Sequence, residues 1–179
     1  MRVTGNSESS LVFTAPHSVR ALRATEEWRA DYGTGGLAEC LAEAMGGLAV
    51  TAWGRQTGNA NRDLEAGPFK VELERRLRPG TLVVDLHGMR DEWGPDLIIG
   101  LGPSSDDRSR KLAAALRACG LAVALGPPFD ACHPGTITAF VQRSGGCALQ
   151  IEVASRRRRP RTVPEPAAEL GAALLKALR

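Results

Sequence analysis

Histidine is scarce in this chain, three residues in 179, and two of the three stand at the ends of short apolar runs: His17 after LVFTAP and His87 after TLVVDL. Runs of this kind, bounded by Pro or Gly, read as buried strands, and in an open α/β sheet ligands bind in the crevice beyond the strands' carboxyl ends. Neutral imidazole is the commonest protein ligand for zinc-like metals, so two imidazoles facing one crevice point to one divalent ion, zinc first. The plainer alternative is a structural role for either histidine. A catalytic zinc takes three protein ligands and keeps one position open, so a third donor is required, most simply a carboxylate. Asp31, Glu26 and Glu27 are the candidates; Asp31 is preferred because it ends the loop that leaves the His17 strand. Asp85 precedes His87 by two residues, which turns it to the same side of the strand, where it can orient an imidazole or cap nearby backbone. Glu152 and Gln150 alone interrupt the apolar run CALQIEVA. An ionised glutamate in a buried strand needs a partner, a metal or a raised pKa, and a raised pKa suits a general base. A salt bridge to Arg143 or Arg156 is its structural alternative.

Other chemistries lack their motifs. There is no G-x-G-x-x-G or G-x-x-x-x-G-K-[ST] cradle, GTGG at Gly33 is too short to replace one, and no G-x-S-x-G elbow supports serine hydrolysis at Ser18. Cys40, Cys119, Cys132 and Cys147 are too dispersed for a zinc ribbon or a small disulfide scaffold; reduced thiols in a cytoplasmic protein fit them best. No segment nears the roughly 18 apolar residues of a membrane span, and MRVTGNSESS does not read as a signal peptide. The net charge of +3 is more than supplied by Arg156 to Arg159 and Arg161. That cluster has no aromatic platform or docking motif beside it and reads as a solvated loop, which argues against nucleic acid as a partner.

The elements that must position these residues follow from periodicity. With 43% hydrophobic residues the chain can bury one ordinary core and reads as a single domain, residues 1–179. Strands are expected at LVFTA, LAVTAW, TLVVDLH, DLIIGLG, LAVALG and CALQIEVA. Helices are expected from Thr34 to the Gly46–Gly47 stop, from Pro68 to Arg78, after a Ser104 or Ser105 cap, and in the terminal PEPAAELGAALLKALR. The stretch from Ser18 to Asp31 reads as a loop carrying site residues, GRQTGNANRDLEAG as a functional loop, and PPFDACHPG as a loop leading into TITAFV. This alternation predicts a three-layer α/β/α sandwich around a mostly parallel or mixed sheet.

The pieces PHS at Pro16, DYGTGGLA at Asp31, NANRD at Asn59, VVDLHGM at Val83, PDLIIG at Pro95, GTIT at Gly135 and ALQIEV at Ala148 resemble, in this order, the N-formylglutamate amidohydrolase family. The resemblance covers most of the chain and implies a zinc-exopeptidase-like α/β/α hydrolase. It implies His17, Asp31 and His87 as the metal ligands and Glu152 as the general base. Asn61 and Arg62 match an Asn-Arg pair that holds the substrate carboxylate in related carboxypeptidases, and a guanidinium fork suits that task. Thr136 and Thr138, with His133, are expected near the substrate. Gly35 stands where the family often has a second aspartate, and ACHPG replaces a glycine-rich approach to GTIT. The expected activity is hydrolysis of an amide in a small carboxylated substrate, an N-formyl or N-acyl amino acid. A carboxypeptidase-like or other deacylase, or a non-catalytic binder of a carboxylated ligand, are the alternatives.

Overall fold

The computed structural model describes residues 1–23, 26–158 and 165–178, and for 22, 23, 26–28 and 165–168 the backbone alone. The apolar runs form strands: β1 (Arg2–Gly5), β2 (Leu11–Ala15), β3 (Ala21–Arg23), β4 (Glu26–Trp28), β5 (Leu48–Thr51), β6 (Gln56–Thr57), β7 (Leu82–Met89), β8 (Leu97–Gly100), β9 (Val123–Leu125) and β10 (Cys147–Ala154). The helices between them are α1 (Thr34–Met45), α2 (Pro68–Glu74), α3 (Asp107–Arg117), α4 (Ile137–Arg143), α5 (Ser155–Arg158) and α6 (Glu165–Leu178). Seven strands make one sheet in the order β1, β5, β2, β7, β10, β8, β9. The centre, from β5 through β2 and β7 to β10, is parallel, whereas β1 and β8 pair antiparallel with their neighbours. The sheet is therefore mixed, as a three-layer sandwich allows.

Alternation along the central strands separates two faces. Phe13, Val84, Leu86, Leu149 and Ile151 point to the face covered by α1, α3 and α6. Val12, Val83 and Ala148 point to the other, where Phe69 and Leu73 of α2 and Ile137 and Val141 of α4 cover them. Those two helices are short, seven residues each. They cover only the amino-terminal halves of the central strands, and the next inward positions on that face are polar: Thr14, Asp85, His87, Gln150 and Glu152.

Several expectations are corrected. The stretch after Ser18 is not wholly loop: β3 and β4 pair antiparallel, and β6 joins β3 to make a separate three-stranded sheet. The N-terminal residues add edge strand β1. Helix α2 stops at Glu74, not Arg78, because the chain tightens there into three-residue turns, with Arg76 N–H donating to the Leu73 carbonyl at 2.8 Å and Leu77 N–H to the Glu74 carbonyl at 3.1 Å. The α3 cap is Asp106, whose carboxylate accepts from Ser109 N–H at 2.7 Å, not Ser104 or Ser105. TITAFV is helical, with Thr136 as the N-cap of α4. The arginine run opens as helix α5; Arg159 and Arg161 lie outside the described residues.

Candidate metal centre and substrate cleft

Strand order reverses between β2 and β7: the chain leaves β2 for β5 on one side and β7 for β8 on the other. A crevice opens at such a switch point, beyond the carboxyl ends of the strands. His17, two residues past β2, and His87, inside β7, stand on either side of it with ring centroids 4.9 Å apart. Asp31 reaches them from the start of α1. Its backbone N–H donates to the His17 carbonyl at 2.8 Å, and its Oδ2 lies 3.7 Å from His17 Nδ1 and 3.5 Å from His87 Nδ1. One donor atom from each of the three residues falls within 4.8 Å of the others. The side chains of Glu26 and Glu27, the other candidate donors, lie outside the described residues.

The far nitrogen of each ring is already committed. His17 Nε2 lies 2.7 Å from Asn59 Oδ1, and that oxygen also accepts the Asn61 backbone N–H at 2.9 Å. Only an oxygen can accept the backbone donor, so the histidine nitrogen must be the donor here too. His87 Nε2 donates to Asp85 Oδ2 at 2.9 Å, while Thr14 Oγ1 donates to Asp85 Oδ1 at 2.6 Å. In its neutral form each ring therefore presents an Nδ1 lone pair inward beside a carboxylate. Two imidazoles with fixed tautomers and one carboxylate fit zinc, and outward Nε2–H donors are the usual support of metal-ligating histidines.

Electrostatics follow from burial and charge. Burial works against an ionised Asp31, but the two imidazoles beside it outweigh that and hold the carboxyl well below its usual range. For His87 burial again opposes the charge, and Asp85 and Asp31 together overcome it, so in the metal-free chain the ring holds its proton well above the ordinary value. Glu152, paired in register with His87 across the β7–β10 ladder, is only 6% exposed. Its pKa is raised to about 7, chiefly by burial; the His87 charge opposes the shift, and Asp31 and Asp85 add to it. Neither Arg143 nor Arg156 bonds it. Gln150 Nε2 instead donates to Glu152 Oε1 at 3.1 Å.

A cleft of about 470 Å³ opens over these groups, and Arg29, Asn61, Arg62, His133 and Thr136 join its walls. Arg62 has no ion-pair or side-chain hydrogen-bond partner among the described residues, which leaves its fork available to a ligand. Arg29, exposed on the same cleft, was not singled out from the sequence. Asn61 is already used at both ends, donating to Gln150 Oε1 at 3.2 Å and accepting Ile137 N–H at 2.8 Å. It ties the Arg62 loop to α4 and β10. The Thr136 hydroxyl caps α4 and contacts the Ala131 and His133 carbonyls at 2.9 Å. Thr138, expected near the substrate, does not line the cleft: it is fully buried in the first turn of α4, against Gly102.

Three supports were not legible as such in sequence. Asn59 and Gln150 orient His17 and Glu152. Lys70, buried at 1% exposure in α2, donates its ammonium to the carbonyls of Asp63 and Gly135, the latter at 2.8 Å. Gly135 lies so close to the Arg62 backbone that a Cβ would come within 2.9 Å of Arg62 Cα. The arginines of α5 are engaged inside the molecule: Arg156 and Arg157 bond Asp96, and Arg158 is buried.

No protein-family profile and no curated protein matches the sequence. Solved structures match along nearly the whole chain. N-formylglutamate amidohydrolase from Ralstonia eutropha JMP134 superposes with a TM-score of 0.65 at 15% identity over 98% of this chain and 96% of its own. A bacteriophage poly-gamma-glutamate hydrolase gives 0.64 at 18% over 98% and 86%, and a metallo-carboxypeptidase from Burkholderia cenocepacia 0.55 at 15% over 98% and 58%. The chain is thus an α/β protein with the zinc-exopeptidase-like fold.

Proposed function

We propose that this chain is a zinc-dependent hydrolase cleaving an amide bond next to a carboxylate, as in an N-formyl or N-acyl amino acid. The observation that carries the reading is the convergence of two inward Nδ1 atoms and Asp31 beside a buried glutamate with a pKa of about 7. His17, Asp31 and His87 would hold the zinc, which when bound supplies Lewis acidity to the carbonyl under attack. Arg62 grips the substrate carboxylate and so fixes the scissile carbonyl over the three ligands. Gln150 holds one oxygen of Glu152 and leaves the other to take a proton from the attacking water. The same carboxyl returns that proton to the departing nitrogen, so the products are a carboxylic acid and an amine. Two of the structural neighbours carry glutamate amides in their names, which supports this substrate class. The four free cysteines support a reducing compartment, the cytoplasm, and no described helix is long and apolar enough to cross a membrane.

The test is metal analysis together with a panel of N-formyl, N-acetyl and peptidyl amino acids. Stoichiometric zinc and chelator-sensitive release of the free amino acid are expected. Preference for a peptide would move the reading to a carboxypeptidase, and zinc-free protein that binds a carboxylated ligand without turnover would make it a binding protein. Equal hydrolysis by wild type and Glu152→Gln would overturn the mechanism.

A further inference from the structure

We infer that Arg158 is a positioning residue whose guanidinium clamps together the three backbone segments that carry Asp31, His87 and Glu152. Its Nη1 donates to the Tyr32 carbonyl at 2.6 Å, its Nε to the Val153 carbonyl at 3.0 Å and its Nη2 to the Met89 carbonyl at 3.2 Å. Tyr32 follows Asp31, Val153 follows Glu152, and Met89 is two residues beyond His87. A single planar cation thus spans the α1 entrance loop and the carboxyl ends of β7 and β10. Ammonium groups cannot do this as well, because they lack the rigid fork of five donors.

The surroundings are shaped for the guanidinium. Arg158 is 8% exposed, and a Cβ on Gly88 would lie 2.5 Å from Nη2 and 2.6 Å from Nε. Gly88 alternates with His87, so the clamp occupies the face of β7 turned away from the imidazole, in the room that the missing side chain leaves. Gly33, with φ +92°, lets the Asp31 loop lie directly against the Arg158 backbone; a Cβ there would sit 3.4 Å from Arg158 Cβ and overlap its carbonyl oxygen. The Asp31 loop is accordingly held between the His17 carbonyl on one side and Arg158 on the other.

Charge and clamp predict opposite signs. The cation is close enough to act on Glu152, so as a mere charge it repels a divalent ion, and its removal would tighten zinc binding. As a clamp it fixes the third donor, and its removal weakens zinc binding. The inference rests on the zinc reading for this readout, and a second readout on metal-free protein separates the two. Zinc affinity by chelator competition and hydrogen exchange of the Asp31 and Thr34 amides, which bond His17 and Asp31 carbonyls, are measured for Arg158→Ala, Arg158→Lys and Gly88→Ala. Each variant should bind zinc about tenfold or more weakly, the scale seen when the support of a ligand is lost, and exchange those amides faster. Combining Arg158→Ala with Gly88→Ala should add little, since both displace one group. Unchanged or tighter zinc binding, a wild-type-like Arg158→Lys, or unchanged exchange would overturn the clamp. If Arg158→Ala does not fold, the other two variants decide. If wild type takes up no zinc, the zinc reading fails and exchange alone decides the clamp.

Discussion

Glu152 is where the chemistry is most exposed to test. In the metal-free chain its carboxyl loses its proton only near pH 7; a divalent ion bound beside it favours the ionised form, so the limb on which the rate climbs with pH should lie below that value. Glu152→Gln should lower kcat by roughly 10²–10⁴ and abolish that limb of the profile while leaving zinc content unchanged. The linkage runs the opposite way for stability. A folded glutamate that keeps its proton above its unfolded value costs stability as pH rises from 4.5 toward about 7. Metal-free Glu152→Gln should therefore be more stable than wild type above pH 7, and the two should converge near pH 4 in urea denaturation. Asp85 and Asn59 act on the ligands themselves, and Asp85→Asn or Asn59→Ala should each weaken zinc binding about 10–100-fold, read by chelator competition. The two histidines, Asp85 and Glu152 were legible because each interrupts or ends an apolar run, and period-two alternation gave Asp85 its side. Asn59 was not, since its bond to His17 spans 42 residues, and Gln150 meets Asn61 across 89. Pairings at that distance are made by topology and leave no local periodicity.

At the scale of elements, the short helix α5 must be seated for Arg158 to reach its three carbonyls, and Asp96 at the head of β8 provides the seat. Its Oδ1 accepts from Arg156 Nη2 and Arg157 Nε at 2.9 Å, and Oδ2 accepts the Ala122 N–H at 3.0 Å, so one carboxylate joins α5 to β8 and to the chain entering β9. The Arg157 hydrogen bond leads the effects that hold its pKa at about 2. A lowered folded-state pKa gives stability that is present above the unfolded value of 3.8 and lost as pH falls through about 2. Asp96→Asn should thus destabilise by about 1–3 kcal/mol at pH 7, and chemical denaturation at pH 2 and below should show that difference vanishing. The major strands and helices were legible because their apolar runs have the length and period of buried elements. β3, β4 and β6 were not, with two or three residues each and no alternation to read. The arginine run misled for a physical reason: like charges in sequence imply solvent, yet here backbone carbonyls and Asp96 converge on them from segments far along the chain.

The whole molecule creates the centre only when folded. His17, Asp31 and His87 come from β2's exit, α1's approach and the interior of β7, and nothing shorter than the assembled sheet brings their donors within 4.8 Å. Zinc should therefore bind the native chain and scarcely the unfolded one, and raise stability by about RT ln(1 + [Zn]/Kd), near 2.7 kcal/mol at a hundredfold excess over Kd. For a chain of this length that corresponds to a rise in Tm of roughly 5–11 °C. Protons compete for the same atoms. Metal-free His87 holds its proton well above the ordinary histidine range, so zinc uptake must displace it, and the thermal shift should shrink as pH falls. Scanning calorimetry of metal-free protein, with and without zinc at two pH values, reads this directly. His17→Ala provides the control: it leaves the buried sheet intact, since His17 lies outside β2 and is partly exposed. The variant should melt near metal-free wild type yet gain little from zinc. An undiminished shift in His17→Ala would place the ion elsewhere, and with it the reason for the Asp31 loop, the Asn59 acceptor and the polar end of an otherwise apolar sheet face.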